Sequence, residues 1–125
     1  MTRRDIFVFG SNRAGIHGAG AALYAKQHYG AKTGVGEGMT GESYALPTKG
    51  FQIEFLPLFE VGTAIHTFAD FARAHPAMLF HLTPVGCGLA GFTRGDIWPL
   101  LMAADIPVNV VLTSSWVTGY KDAMK

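Results

Sequence analysis

Short unbroken apolar runs alternate along the chain with longer segments whose apolar residues recur at helical spacing. Ile6-Phe7-Val8-Phe9 runs without a polar residue and stops at Gly10, the pattern of a strand buried on both faces. Ala21 to His28 reads as a helix of small and apolar residues, closed by Gly30 at the position after its cap. Thr33 to Gly41 has no periodicity and reads as a loop that borders or covers a cleft. Ser43 to Leu46 forms a second strand, stopped by Pro47. From Glu60 to His75, Val61, Ile65, Phe68 and Phe71/Ala72 make a helical core stripe, with Pro76 just past its end. Met78 to Leu82 is a third strand, Asp96 to Ala104 a third helix and Val108 to Leu112 a fourth strand. The order βαβαβαβ predicts an α/β fold with a mostly parallel sheet, helices on both faces and ligands outside the carboxyl ends of the strands. No repeat, low-complexity tract or linker interrupts it, so residues 1–125 are expected to form a single domain.

Three stretches place small residues just past an apolar run. They are Phe9-Gly10-Ser11-Asn12 with Gly15-Ile16-His17-Gly18-Ala19-Gly20-Ala21-Ala22, then Tyr44-Ala45-Leu46-Pro47-Thr48-Lys49, then Thr83-Pro84-Val85-Gly86-Cys87-Gly88-Leu89-Ala90-Gly91-Phe92. Glycine lets backbone N–H groups approach a ligand with no Cβ in the way, which is how phosphates are cradled at strand-to-helix junctions. Three such loops predict one nucleotide-sized cleft. Composition narrows the rest. With 49% hydrophobic and 15% charged residues the chain is a globule, and a net charge of +1 gives no electrostatic argument for nucleic acid or membrane. The single cysteine, Cys87, excludes an intramolecular disulfide framework and suits a reducing compartment. No apolar stretch has membrane-spanning length, and the basic start runs into a short strand rather than a signal-peptide core, so a cytoplasmic protein is expected.

Each chemical signal has a bland counterpart. Gly18-Ala19-Gly20-Ala21-Ala22-Leu23 lacks the third glycine of a dinucleotide fingerprint, and a tight turn with close helix-to-sheet packing explains it as well as a phosphate loop does. Lys49 stands at the end of a strand before Gly50, on the rim of the cleft, where it can pair with phosphate or act as a nucleophile; a solvated surface lysine is the ordinary case. Cys87 has no histidine near it in sequence and reads as a small buried residue whose N–H matters more than its sulfur. His17 can donate to a phosphate or ribose hydroxyl, or be an exposed loop histidine. Asn12 can bind a ribose hydroxyl or hold the loop through its own backbone. The five histidines show no metal-ligand spacing, and no metal or cofactor is implied. Asp96 belongs in the first turn of a helix.

Taken in order, these stretches resemble the macro domain, a family of three-layer α/β/α modules that bind ADP-ribose and in some members remove it from targets. The resemblance runs from about Ile6 to Phe92. Ile6–Asn12 is similar to its strand ending in asparagine, Gly15–Ala22 to its glycine-rich loop, Tyr44–Lys49 to its strand ending in Leu-Pro, and Val85–Leu89 to its second phosphate loop. The subgroup it most resembles hydrolyses the ADP-ribose ester on glutamate with a lysine and an aspartate. Lys49 matches the lysine, whereas Ala90 stands at the aspartate, and before Ile6 there is no room for the strand and acidic residue that read adenine.

The resemblance implies a binding site for ADP-ribose or a related nucleotide diphosphate. The N–H groups of Gly18, Ala19, Gly20 and Ala21 and of Gly86, Cys87, Gly88, Leu89, Ala90 and Gly91 would share the diphosphate, with Asn12 on the distal ribose and Phe92 on a sugar or base face. His17 belongs to the same set. The partner expected is a small molecule of ADP-ribose type, free or carried by an ADP-ribosylated protein or nucleic acid, with no membrane. Two other readings stand beside it. One is an ADP-ribosyl hydrolase of weakened activity using Lys49. The other is an interaction or oligomeric protein whose pocket is filled by its own side chains and whose anchors are Trp98 and Trp116.

Overall fold

The computed structural model describes residues 3–88 and 90–117. Five strands, β1 (Arg4–Asn12), β2 (Gly38–Thr40), β3 (Ser43–Lys49), β4 (Met78–Leu82) and β5 (Val110–Leu112), form one mixed sheet in the order β2-β3-β1-β4-β5. The helices α1 (Gly20–His28), α2 (Leu58–Ala74) and α3 (Arg94–Ala104) connect them. β1 pairs in parallel with β3 and β4, and β4 with β5. The α/β class and the mainly parallel sheet agree with the pattern of apolar runs.

Side chains alternate across the strands, so each buried strand serves two cores. Ile6, Val8, Tyr44, Leu46, Phe80 and Leu82 pack with Val61, Ile65 and Phe68 of α2 and Ile97 and Leu101 of α3. Phe9 and Ala45 instead meet Ala22 and Ala25 of α1, together with Ala31. Asn109 ties the far end of the larger core: its amide nitrogen donates to the carbonyls of Ala72, His75 and Met78 at 2.9, 3.1 and 3.1 Å.

Four elements depart from expectation, first of them β1, which runs on through Gly10 to Asn12 instead of stopping at Gly10. The segment Thr33–Gly41 contains a strand, β2, whose Gly38–Thr40 pairs antiparallel with Ser43–Ala45. β3 continues through Pro47 to Lys49. It can do so because β2 ends its pairing at Ala45, so at Pro47 that side of the ladder requires no N–H. β5 begins at Val110 rather than Val108, since a turn closed by the Val110 N–H on the Pro107 carbonyl (3.1 Å) takes up the residues between. Asp96 does lie in the first turn of a helix, one that begins at Arg94 rather than at Asp96. Its backbone N–H donates to Thr93 Oγ1 (3.1 Å) and its carboxylate accepts from the Thr93 N–H (2.9 Å), a capping box that holds the carboxylate at α3. Trp116 is a core residue whose indole donates to the Leu82 carbonyl at 2.7 Å, and Trp98, half-exposed, packs edge-on against it.

Tyr44 is buried against Phe68 and Phe71. Burial, with the Glu37 carboxylate adding, pushes its hydroxyl from 10.0 up to about 12. The folded protein therefore keeps a proton that the unfolded chain gives up. That contribution is complete below pH 10 and is lost as pH rises to about 12, an expected fall of about 2 to 3 kcal/mol over the interval. Denaturant melts across this range measure it, and Tyr44→Phe is expected to flatten the decline.

Candidate functional site

The parallel register brings the carboxyl ends of β1, β3 and β4 to one edge of the sheet. The chain leaves β1 toward β3 on one side and leaves β4 toward β5 on the other, so the connections diverge between β1 and β4. Such a switch point opens a crevice in α/β sheets. A cavity of about 350 Å³ lies there. Its floor is Gly10, Ser11, Asn12, Thr48, Thr83, Pro84 and Val85 at the strand ends; one wall is Gly18 to Ala22, the facing wall Gly86, Gly88 and Ala90, and its rim carries Ile16, Lys49 and Ile53.

The two walls are built differently. Gly18 to Ala22 includes the first turn of α1, where helix N–H groups have no partner within the helix. Ala19 at the cap position offers no side chain to them, and no acidic residue lies in the turn. α3, by contrast, is closed by Thr93 and Asp96. The facing loop is held by its own bonds: Cys87 N–H to Pro84 O (3.1 Å), Gly91 N–H to Gly88 O (3.0 Å) and Phe92 N–H to Gly86 O (2.9 Å). These engage the N–H groups of Cys87, Gly91 and Phe92, while Gly86, Gly88 and Ala90 are the residues of the loop that line the cavity. At Gly18, Gly20 and Gly88 an added Cβ would meet no atom within 4 Å, so at these positions the backbone faces open space.

The hydroxyls on the floor face inward to the fold. Ser11 Oγ donates to Gly36 O (2.5 Å), Thr48 Oγ1 to Ser11 O (3.3 Å) and Thr83 Oγ1 to Val8 O (2.6 Å). Among the described residues lining the cavity, Lys49 alone is charged, and no carboxylate is among them. Its Nζ lies 5.8 Å from the centroid of the Phe55 ring.

Several expected site residues are placed elsewhere. His17 is buried, packs edge-on against Phe9 at 5.2 Å and has Nε2 at 3.2 Å from Lys32 O; it braces the first loop and does not line the cavity. Asn12 lines the cavity, yet its amide both donates to Ile16 O (2.7 Å) and accepts from Ile16 N (2.9 Å), which is the loop-holding role rather than the ribose role. The Cys87 thiol turns away toward Val85 O at 3.6 Å, and burial pushes its pKa up against the pull of Arg94, which keeps it a thiol. The N–H groups of Cys87 and Gly91 are engaged within their loop. Phe92 packs on the large core beside Gly86 instead of on a ligand face. Leu89 lies outside the described residues. Lys49, Gly18, Ala19, Gly20, Ala21, Gly86, Gly88 and Ala90 stand on the cavity as expected. Ile16 and Ile53 are lining residues that pattern reading did not single out for a role; no signal marks Ile53, which needs the hairpin it sits in.

No model of a protein family matches the chain, and no curated protein matches it. A solved structure does: a protein of unknown function from Bacteroides thetaiotaomicron aligns with a TM-score of 0.58 over 90% of this chain and 88% of its own, at 17% identity. At that identity the likeness carries the fold alone. Among the described residues, no group of three or more His, Cys, Asp or Glu is placed to hold a metal ion, and no helix is long and apolar enough to cross a membrane.

Proposed function

We propose that the cavity binds ADP-ribose or a closely related nucleotide diphosphate, in a macro-like α/β/α domain acting in the cytoplasm. The observation that carries this reading is the pair of walls made of glycine and alanine, Gly18–Ala22 on the open start of α1 and Gly86, Gly88 and Ala90 opposite, around a space lined, among the described residues, by one cation and no carboxylate. Oriented N–H groups and a helix N-terminus suit a diphosphate without requiring a basic surface. The division of the helices between two cores on opposite faces supports the three-layer reading.

The rest of the ligand follows from the two ends of the cavity. Past the start of α1 the cavity continues into a hollow that shares Gly20, Ala21, Thr83 and Pro84 with it and adds Phe7, Tyr24, Thr113 and Ser115. There a base has an aromatic face to lie against. The distal ribose then extends toward Lys49. Calorimetric titration with ADP-ribose, with AMP and ADP as controls, tests this: micromolar binding is expected, and no binding at millimolar concentration sinks the proposal.

The cavity is open rather than filled by its own side chains, and Trp116 is engaged in the core, which favours a ligand over an interaction protein with a degenerate pocket. The position of Lys49 on the rim favours hydrolysis as a second reading. A positioned acid or base contributes about 10²–10⁴-fold, and among the described residues no carboxylate for that task lines the cavity while Asp96 is held at α3. Slow turnover is the expectation. Lys49→Ala is expected to weaken ADP-ribose binding about tenfold by removing a charge-assisted contact. Release of ADP-ribose from modified protein at equal rates by wild type and variant removes Lys49 from any chemistry.

A further inference from the structure

The connection from β3 to α2 turns its apolar side chains outward. Of residues 51–59 only Leu56 is buried, yet the segment reads Phe-Gln-Ile-Glu-Phe-Leu-Pro-Leu-Phe. Phe51, Phe55 and Phe59 expose 71%, 69% and 73% of their surface, and Ile53 and Leu58 are exposed between them. A phenylalanine offers about 200 Å², so the three rings leave roughly 400 Å² of aromatic surface in water. Ile53 and Leu58 carry the total toward the upper end of what one patch on a monomer ordinarily shows, about 300–600 Å².

The segment is held in place. The bridge between Lys49 and Phe55 closes a hairpin in which Gly50 N–H donates to Glu54 O (3.0 Å) and Ile53 N–H to Gly50 O (3.1 Å). Leu56 then enters the larger core, and Pro57 stands at the N-cap of α2. Rings displayed on an ordered backbone lose little freedom when they are covered. The charges around them are engaged: Glu60 pairs with Arg13 at 3.7 Å, the Glu54 carboxylate accepts from the Gln52 N–H (3.0 Å), and Lys49 Nζ stands beside the Phe55 ring. Residues 49–60 hold one lysine against two glutamates, the reverse of the basic excess that suits an anionic lipid surface.

We propose that this face is the interface between two copies of the chain, related by a two-fold axis and anchored by Phe51, Phe55 and Phe59. In such an interface the same patch meets itself. The pair then buries roughly 1,000 Å² of apolar surface over both copies, the greater part of the about 1,200–2,000 Å² that a stable complex covers. The hairpin carries one charge of each sign, Lys49 and Glu54, so a copy of the patch can be met without opposing like charges. The pairing does not depend on what the cavity binds.

Sedimentation velocity of the full chain at tens of micromolar tests it, with Phe51→Asp, Phe59→Asp and Met102→Asp. Met102 is comparably exposed but lies on α3. Wild type and Met102→Asp are expected to sediment at twice the 13.4 kDa of the chain. The two phenylalanine variants are expected to run as monomers, with dimerisation weakened about a hundredfold or more, and circular dichroism checks that each variant is folded. A monomeric wild type overturns the proposal, and binding of that monomer to phosphatidylcholine–phosphatidylglycerol vesicles would assign the patch to a lipid surface instead. A dimer that either phenylalanine variant retains, or that Met102→Asp dissociates as readily, overturns it as well.

Discussion

Gly88→Glu is expected to weaken ADP-ribose binding by about a hundredfold or more while leaving the thermal midpoint of the protein unchanged. The two halves of this expectation have separate grounds. Position 88 lines the cavity, and a carboxylate there would stand against the ligand's diphosphate at a separation where like charges near a protein surface cost about 4 kcal/mol. The fold is indifferent to the change, since a Cβ at 88 meets nothing within 4 Å and the backbone there does not require glycine. Gly88→Ala, which adds no charge, is expected to keep most of the affinity. Calorimetry with a parallel thermal melt reads both quantities. Full binding by Gly88→Glu with an intact fold would take this loop out of the site.

Gly15→Ala is expected to have the opposite profile, a loss of stability ahead of any loss of contact with the ligand. Gly15 has φ of +72°, and a Cβ there would overlap the backbone of Gly34 and Val35. Left-handed backbone costs a non-glycine residue about 1–2 kcal/mol and a forced overlap about 1–3 more. The sum predicts a midpoint lower by roughly 10 °C. The overlap falls where the first loop leans on the segment behind it: Gly34 N–H donates to Gly15 O at 2.9 Å, Ser11 Oγ reaches Gly36 O and His17 reaches Lys32 O. A thermal melt checks the prediction, and a midpoint equal to wild type would mean that the two segments part without cost.

What was legible in the chain follows from how each feature is encoded. β1 announces itself as an unbroken apolar run and α2 by a helical period, since burial imposes both, and the glycine loops because their residues lie at strand ends. β2 carries no such mark: three residues are too few for a period, and its pairing with β3 is set by the turn at Gly41 rather than by its own composition. Pro47 reads as a stop only when the ladder beyond it continues, and no local signal says that β2 is so short. The site was legible as a set of backbone loops and misread wherever a side chain decided the outcome. Asn12, His17 and Phe92 each have a polar or aromatic group that could reach a ligand or the protein, and the protein takes all three. Which direction a loop side chain turns depends on partners such as Ile16, Lys32 and Gly86 that folding brings near and that no spacing rule relates to it. Ile53 shows the same limit from the other side, an ordinary apolar residue brought to the cavity by the hairpin that the Lys49–Phe55 bridge closes.

The two faces of the sheet are unequally filled. α2 buries Val61, Ile65 and Phe68 against one face, while α1 rests on the other through the methyl groups of Ala22 and Ala25. Little apolar surface is lost when α1 lifts, so its amides are expected to exchange with solvent sooner than those of α2, through a local opening that leaves the sheet intact. The wall of the cavity that grips phosphate is the first turn of that same helix. A ligand held there opposes the opening by mass action. Saturation with ADP-ribose should therefore slow deuterium uptake most in α1, making the loosest helix of the three the one that reports occupancy.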